Sequence, residues 1–224
     1  MKILIIISAW NEGKTIAGVI SDLKTHDYKD IVVIDDGSTD GTYNAAKKAG
    51  VIVLRHVINR GLGAGLGTGF EYAKNFAADI VVTFDGDAQH KAEDIKNLIK
   101  PIIENKADVV VGSRMTAHIK LMPASRILIS YLANFLTYIL YGFWSTDSQS
   151  GLRAFNKKAL EKIKIKTDRM EISSEFLKEI KRNRLRYLEV PIKPVYLEGR
   201  VGQDNKGYWN SINVGVKMVL RVFR

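Results

Sequence analysis

The chain has 224 residues, 46% hydrophobic and 26% charged, which is enough for one large α/β domain with a sizeable core. It has no cysteine, and this excludes a disulfide framework and any thiolate metal site. The formal net charge is +10 and is unevenly spread: residues 1–112 carry 13 Lys and Arg against 15 Asp and Glu, and residues 113–224 carry 21 against 9.

The N-terminal "MKILIIISAWNEG" has a short apolar run without a small-residue cleavage site, so it reads as a buried first strand, "KILIIIS" (2–8), rather than a signal peptide. A helix follows from about Lys14, then a strand "DIVVIDD" (30–36) and a helix over 40–49. A strand "VIVLR" (51–55) and a helix from about Gly65 to Ala78 come next. A strand "DIVVTFD" (79–85), a helix over 92–105 and a strand "ADVVVGS" (107–113) complete this half. Short, uniformly apolar strands alternating with helices predict an α/β fold, a mostly parallel, Rossmann-like sheet with helices on both faces. Such sheets bind ligands beyond the carboxyl ends of their strands. The segments there are "SAWNE", "DDGSTDG", "DGDAQ" and "GSR".

After Arg114 the pattern changes. Residues 127–144 carry no charge over 18 positions, a borderline length for a membrane span. Ser130, Asn134, Thr137 and Tyr141 recur at helical spacing, so we read an amphipathic helix, packed on the domain or lying in a membrane interface. A strand-like "LRAF", helices near 157–163 and 171–182, a strand "RYLEVPIKPV" and a glycine-containing loop at 199–207 follow. The chain ends in a basic, amphipathic candidate helix. The basic half suits an anionic membrane surface, nucleic acid or phosphorylated ligands. No recognised nucleic-acid-binding motif is present and the strand ends are acidic, so no nucleic-acid partner is expected.

"GLGAGLGTG" (61–69) lacks glycines at i, i+2 and i+5 and follows the third strand, so it does not fit dinucleotide binding; its glycines serve tight bends and close approach. "DGSTDG" (36–41) contains residues that cap helices and shape turns, but Asp35 and Asp36 end a strand on the binding edge, where one can accept hydrogen bonds from a base or ribose. In "DGDAQ", Asp85 and Asp87 on an extended segment would face one point. Two like charges there call for a cation, and hard oxygen ligands suit Mg²⁺ or Mn²⁺ holding a diphosphate. Two capping aspartates in a loop would leave the same sequence mark.

In order, "SAWNE", "DDGS", "DGDAQH", "GSR" and "DSQSGLRAF" resemble the pattern of glycosyltransferase family 2 over nearly the whole chain. The subgroup it resembles most is the dolichyl- or polyprenyl-phosphate sugar (mannose or glucose) synthases. The resemblance implies a GT-A fold in one catalytic domain, with a nucleotide-sugar-binding half (1–114) and a basic acceptor-binding half (115–224). It also implies a nucleotide-diphospho-sugar donor, of GDP-mannose or UDP-glucose type, and a divalent cation, Mg²⁺ or Mn²⁺. By the same resemblance, Ser8 stands where the family has proline, Trp10 sits beside the base and Glu12 hydrogen-bonds it. Asp36 contacts the nucleoside. Asp85, Asp87 and Gln89 are the metal and donor residues, with Asp87 the most direct ligand. Arg114 contacts phosphate, as a guanidinium does well. Asp147, with Ser150 and Gly151, corresponds to the acceptor-side segment. Arg200 and Lys206 are phosphate-binding charges in a loop that departs from the family's form by one extra residue.

The implied reaction inverts the anomeric carbon, with Asp87, Arg114 and Asp147 as its catalytic residues. A polyprenyl or dolichyl phosphate acceptor is already an anion; a saccharide or glycolipid hydroxyl, the alternative, needs a base, for which Asp147 and Glu175 are candidates. No Q-x-x-R-W segment follows, unlike the processive polysaccharide synthases of the family. Many relatives carry membrane spans after the catalytic domain. The expectation here is peripheral attachment to the cytoplasmic face of an anionic membrane, or help from a membrane-anchoring partner.

Overall fold

The structure is a computed structural model that describes residues 1–116, 124–193 and 195, with the backbone alone for 124–126. The expected loop at 199–207, with Arg200 and Lys206, and the basic C-terminal helix lie outside the described residues.

The first half forms β1 (Ile3–Ala9), α1 (Ile16–Thr25), β2 (Ile31–Asp35), α2 (Thr42–Lys48), β3 (Ile52–Arg55), α3 (Leu62–Asn75) and β4 (Ile80–Asp85). A 3₁₀ turn (Ala92–Asp94) then leads into α4 (Ile95–Ile103), and β5 (Val109–Ser113) closes this half. The second half adds α5 (Ala124–Tyr141), β6 (Arg153–Asn156), α6 (Lys157–Lys162), α7 (Ile172–Arg182) and β7 (Tyr187–Pro191). All seven strands form one sheet in the order β3-β2-β1-β4-β6-β5-β7, so a single sheet runs through both halves. Alternation along β1 divides the core. Ile5 and Ile7 face α1 and α4, whose Ile16, Val19, Ile20 and Leu23, and Ile95, Leu98, Ile99 and Ile102, fall at helical spacing. Leu4 and Ile6 face the other way, toward Leu66 and Phe70 of α3 and Phe176 and Ile180 of α7.

The glycine-rich segment is not a loop: α3 begins at Leu62, within it. A Cβ on Gly63 would overlap the carbonyl oxygen of Thr167, and one on Gly69 would overlap Ile6. The glycines therefore let a helix lie close on the sheet and on the 165–169 segment.

Strand β6 is antiparallel to both β4 and β5, whereas β1, β2, β3 and β4 run parallel to one another. The cause is connectivity. The segment between β5 and β6 leaves from the carboxyl edge and returns to that edge, so the strand entered next must run backwards. Its beginning, not its end, lies at the ligand-binding edge. Residues 145–152 are thereby delivered beside the ends of β4 and β5.

Helix α5 reverses the usual surface pattern. Its polar residues point inward: Asn134 and Thr137 are buried, Asn134 Nδ2 donates to the Thr146 carbonyl at 2.6 Å, its Oδ1 accepts from Ser148 N at 2.9 Å, and the Thr137 and Ser174 hydroxyls lie 3.1 Å apart. Leu128, Tyr131, Leu132, Phe135, Tyr138 and Ile139 point outward and are exposed, as is Trp144 just beyond. The expected helix exists; its polar stripe is the packed face. Among the described residues no helix is long and apolar enough to cross a membrane.

At the opposite edge, Asp108 is fully buried and gathers Lys158 Nζ (3.0 Å), Arg186 Nη2 (2.9 Å) and Asn156 Nδ2 (3.0 Å). Burial alone would raise its pKa, but these partners outweigh it and hold the carboxyl well below its ordinary value. A depressed folded-state pKa gives stability that is present above about pH 4 and fades as pH falls further. Asp108→Asn is expected to lower unfolding stability by about 2 kcal/mol near neutral pH, below the full cost of breaking a buried pair because Lys158 and Arg186 are half-exposed. The urea midpoint at constant slope reads this loss, and the gap between the two proteins should close in acid.

Candidate active site

Parallel register brings the ends of three strands to one edge: Ala9 pairs with Asp35, and Ser8 with both Ile34 and Asp85. The β1 and β2 loops are stitched together by hydrogen bonds. Asn11 N donates to Ser38 Oγ at 2.9 Å, Thr39 N to Asn11 Oδ1 at 2.9 Å, Glu12 N to Thr42 Oγ1 at 2.8 Å and Gly13 N to Asp40 Oδ2 at 2.9 Å. The Ser, Thr and Asp of "DGSTDG" thus serve the neighbouring loop; α2 itself has Gly41 at its N-cap and no side-chain cap. This stitching leaves Trp10 exposed at the rim. Glu12 Oε2 accepts from Thr15 Oγ1 at 2.9 Å. Ser8 lies lower, its hydroxyl against Gly65 of α3.

Asp36 is buried and internally engaged. Its Oδ1 lies 2.7 Å from His56 Nδ1 and accepts from Arg60 N at 3.0 Å, and its Oδ2 accepts from Gly61 N at 2.7 Å. It folds the 56–61 segment over the edge. Asp35, also buried, pairs with Arg55 Nε at 3.1 Å.

Strand β4 stops at Asp85, and Gly86, Asp87 and Ala88 form a turn in which Ala88 has φ 63°. Asp87 therefore approaches Asp85 through a turn, not along an extended strand as the spacing suggested. Asp85 Oδ2 lies 3.2 Å from Nε2 of the buried His90. Burial alone would raise the Asp85 pKa, but His90, Arg114 and Arg153 hold it below its ordinary value. Asp87 goes the other way, pushed up to about 6 by burial and by the charge of Asp85, although Gln89 N donates to its Oδ1 at 3.0 Å. Of two adjacent carboxylates, one is held ionised and the other resists ionisation. A cation between them removes that conflict. Gly151 supplies the room, because a Cβ there would overlap the Asp85 carboxylate. The donor set of two carboxylates and the Gln89 amide oxygen is hard and fits Mg²⁺ or Mn²⁺. Among the described residues no cluster of three or more His, Cys, Asp or Glu forms a ready metal site, so further ligands would come from amide oxygen, water or substrate.

Arg114 follows β5, and its guanidinium meets Asp147 in a fork, Nε to Oδ2 at 2.7 Å and Nη2 to Oδ1 at 2.8 Å; its backbone N–H also donates to Oδ2 at 3.0 Å. Asp147 is buried, with both oxygens taken by this arginine. Glu175 accepts from Lys166 N, Thr167 N and Thr167 Oγ1, at 3.1, 2.9 and 2.7 Å, and anchors the segment that covers the start of α3.

Two participants were not assigned in the sequence. Arg153, between Thr83 and Val111 in the sheet, is 3% exposed; its guanidinium stacks 4.8 Å from the Phe176 centroid and donates to the Ser148 carbonyl at 3.2 Å. Burial lowers its pKa to about 10, against the pull of Tyr187, Asp85 and Asp147. An arginine inside an otherwise apolar "LRAF" was the available signal, since a buried charge needs partners. Glu189, in "RYLEVP", had no signal beyond its alternation with apolar neighbours.

Residues 4–164 match the family model "Glycosyl transferase family 2". The chain is 45% identical over 201 residues to an uncharacterised protein of Methanocaldococcus jannaschii, covering 88% of this chain and 83% of that one. It is 37% identical over 241 residues to a UDP-N-acetylglucosamine–dolichyl-phosphate N-acetylglucosaminyltransferase of Methanococcus voltae, covering 98% and 94%. It is 31% identical over 171 residues to an undecaprenyl-phosphate mannosyltransferase of Micrococcus luteus, covering 73% and 70%. The fold is similar to that of glucosyl-3-phosphoglycerate synthase from Mycobacterium tuberculosis in complex with Mn²⁺, UDP and glucosyl-3-phosphoglycerate, with a TM-score of 0.73 at 18% identity over 97% of this chain and 79% of that one. The fold is thus GT-A, and the chain belongs to glycosyltransferase family 2, as an enzyme related to the polyprenyl-phosphate sugar transferases.

Proposed function

We propose that this protein is an inverting, metal-dependent transferase that moves a hexosyl group from a nucleotide-diphospho-sugar to a polyprenyl or dolichyl phosphate. The carrying observation is the meeting, at one sheet edge, of the Asp85 carboxylate beside Asp87 with the charge of Arg114 in its fork to Asp147 and with Gly151 of the same segment. The full-length likeness to the Methanococcus voltae transferase makes UDP-N-acetylglucosamine the first donor to try, beside the UDP-glucose and GDP-mannose types.

In this reading Trp10 and Glu12 take the base, and Asp36 shapes the nucleoside side through the 56–61 segment. Asp85, Asp87 and Gln89 hold Mg²⁺ or Mn²⁺, which when bound offsets charge on the departing diphosphate. Arg114 adds a fixed positive charge at the same oxygens. The acceptor oxygen bonds to the anomeric carbon from the opposite face as the bond to the diphosphate breaks, and the nucleoside diphosphate leaves with the electron pair. A phosphate acceptor has no proton to give up. That agrees with Asp147, whose oxygens Arg114 occupies, and with Glu175, whose carboxylate is spent on the 166–167 backbone. A hydroxyl acceptor would need one of them as a base.

The outward apolar face of α5, with two tyrosines and Trp144 nearby, supports peripheral attachment at a membrane interface. The excess of Lys and Arg over residues 113–224 suits an anionic, cytoplasmic leaflet.

Calorimetric titration with UDP-N-acetylglucosamine, UDP-glucose and GDP-mannose, with and without Mn²⁺, tests the donor site. A transfer assay with dolichyl phosphate in anionic and in neutral vesicles tests the acceptor and the surface. The expected result is metal-dependent binding of one nucleotide class and faster transfer on anionic vesicles. No binding of any donor by folded protein would remove the reading, and transfer only to free saccharides would replace the acceptor.

A further inference from the structure

The Arg114–Asp147 fork is held in place by a side chain outside it. Glu189, on β7, collects four donors on one carboxylate: Ser145 Oγ at 2.7 Å, Thr146 N at 2.9 Å, Thr146 Oγ1 at 2.6 Å and Tyr187 Oη at 2.6 Å. Tyr187 Oη also lies 3.0 Å from Ser145 Oγ, so the two hydroxyls pack against each other beside the carboxylate. The next residue in the chain after Thr146 is Asp147. The Thr146 hydroxyl also lies 2.7 Å from Ser113 Oγ, and the next residue after Ser113 is Arg114. Both partners of the fork are thus tethered, one residue away, to the same threonine, and that threonine is tethered to Glu189. Burial and the Glu189 charge raise the Tyr187 pKa, which keeps its hydroxyl a donor.

We propose that Glu189 is a positioning residue for transfer: by fixing Ser145 and Thr146 it sets where Asp147 holds the Arg114 guanidinium. This rests on the reading of Arg114 as a phosphate contact. A carboxylate suits the place because it only accepts, and every group facing it donates. Glutamine has the same shape but brings an NH₂ group against one of those donors, so the cluster must rearrange.

The test is Glu189→Gln in the full chain, alone and combined with Arg114→Ala. The assays are transfer from UDP-N-acetylglucosamine to dolichyl phosphate, donor affinity with Mn²⁺, and the ¹⁵N–¹H resonance of Arg114 Nε. The single variant should lower kcat about 10- to 100-fold, the cost of misplacing a contact by about 1 Å, with donor affinity changed less than about threefold. The Arg114 Nε–H signal should shift or broaden. In the Arg114→Ala background, Glu189→Gln should cost nothing further, because residues acting through one another are not additive. If Glu189→Gln does not fold, Thr146→Val, which cuts the hydroxyl link to Glu189 and Ser113, carries the same expectations at smaller size. A folded variant with an unmoved Arg114 Nε–H signal, or with a kcat loss that adds fully to that of Arg114→Ala, overturns the proposal. Full transfer by Arg114→Ala alone would instead sink the phosphate reading, while the resonance would still decide whether Glu189 positions the arginine.

Discussion

Replacing Asp87 by alanine is expected to lower kcat by about 10²- to 10³-fold or more, the range seen when one stabiliser of developing charge is removed. The dependence of nucleotide binding on Mn²⁺ should go with it. The reason is the opposed pair at the end of β4: Asp85 is held ionised by His90, Arg114 and Arg153, while Asp87 is pushed up to about 6 by burial and by Asp85 itself. The site tolerates a second negative charge poorly until a cation arrives. Removing Asp87 relieves that repulsion, so Asp87→Ala should fold and melt no lower than the parent. Calorimetry with and without Mn²⁺, beside a thermal melt, separates the two effects. A variant that kept metal-dependent donor binding would show that the carboxylate is only a turn residue, bonded to Gln89 N.

The second large effect is expected from one methyl group. Gly151→Ala places a Cβ where the Asp85 carboxylate now lies, so either that carboxylate or the 145–152 segment must move. The segment is pinned by Thr83 Oγ1 donating to the Gly151 carbonyl at 2.7 Å and by the Arg114 fork on Asp147, whereas the carboxylate is attached by fewer bonds. The carboxylate is therefore the group that moves. A displacement of about 1 Å at a reacting centre costs about 100-fold in rate, and overpacking costs about 1–3 kcal/mol of stability. Gly18→Ala is the control: nothing lies within 4 Å of a Cβ on that α1 residue, so activity should be unchanged and stability slightly higher. Wild-type kinetics in Gly151→Ala would mean that Asp85 has no fixed place to lose.

The elements of the first half were legible because each strand is a short run of β-branched residues and each helix carries its apolar residues at helical spacing. Boundaries differ by a few residues, most at α3, which starts at Leu62 rather than near Gly65 because its glycines are what allow the close packing. Asp36, Asp85 and Asp87 could be singled out because parallel strands end at one edge, and polar residues there stand out against apolar runs; Trp10 and Glu12 were singled out by the resemblance to the family. Their partners could not. Asp36 turns to His56 and the 60–61 backbone, and Asp147 gives both oxygens to Arg114, through contacts 20 to 33 residues apart in the chain.

The amino-acid sequence by itself determined the alternating α/β order, the acidic strand ends, the basic second half and the polar stripe of α5. These are properties of periodicity and composition, which local chemistry imposes. Only the tertiary structure decided that β6 runs backwards between β4 and β5, that the polar stripe of α5 is its packed face, that Gly151 abuts the Asp85 carboxylate, that Arg153 is buried against Ser148, and that Glu189 gathers Ser145 and Thr146. The physical reason is the same each time. A strand's direction follows from the edge at which the chain re-enters the sheet, and a helix face is chosen by the hydrogen bonds waiting for it. Both depend on groups that are near in space and distant along the chain.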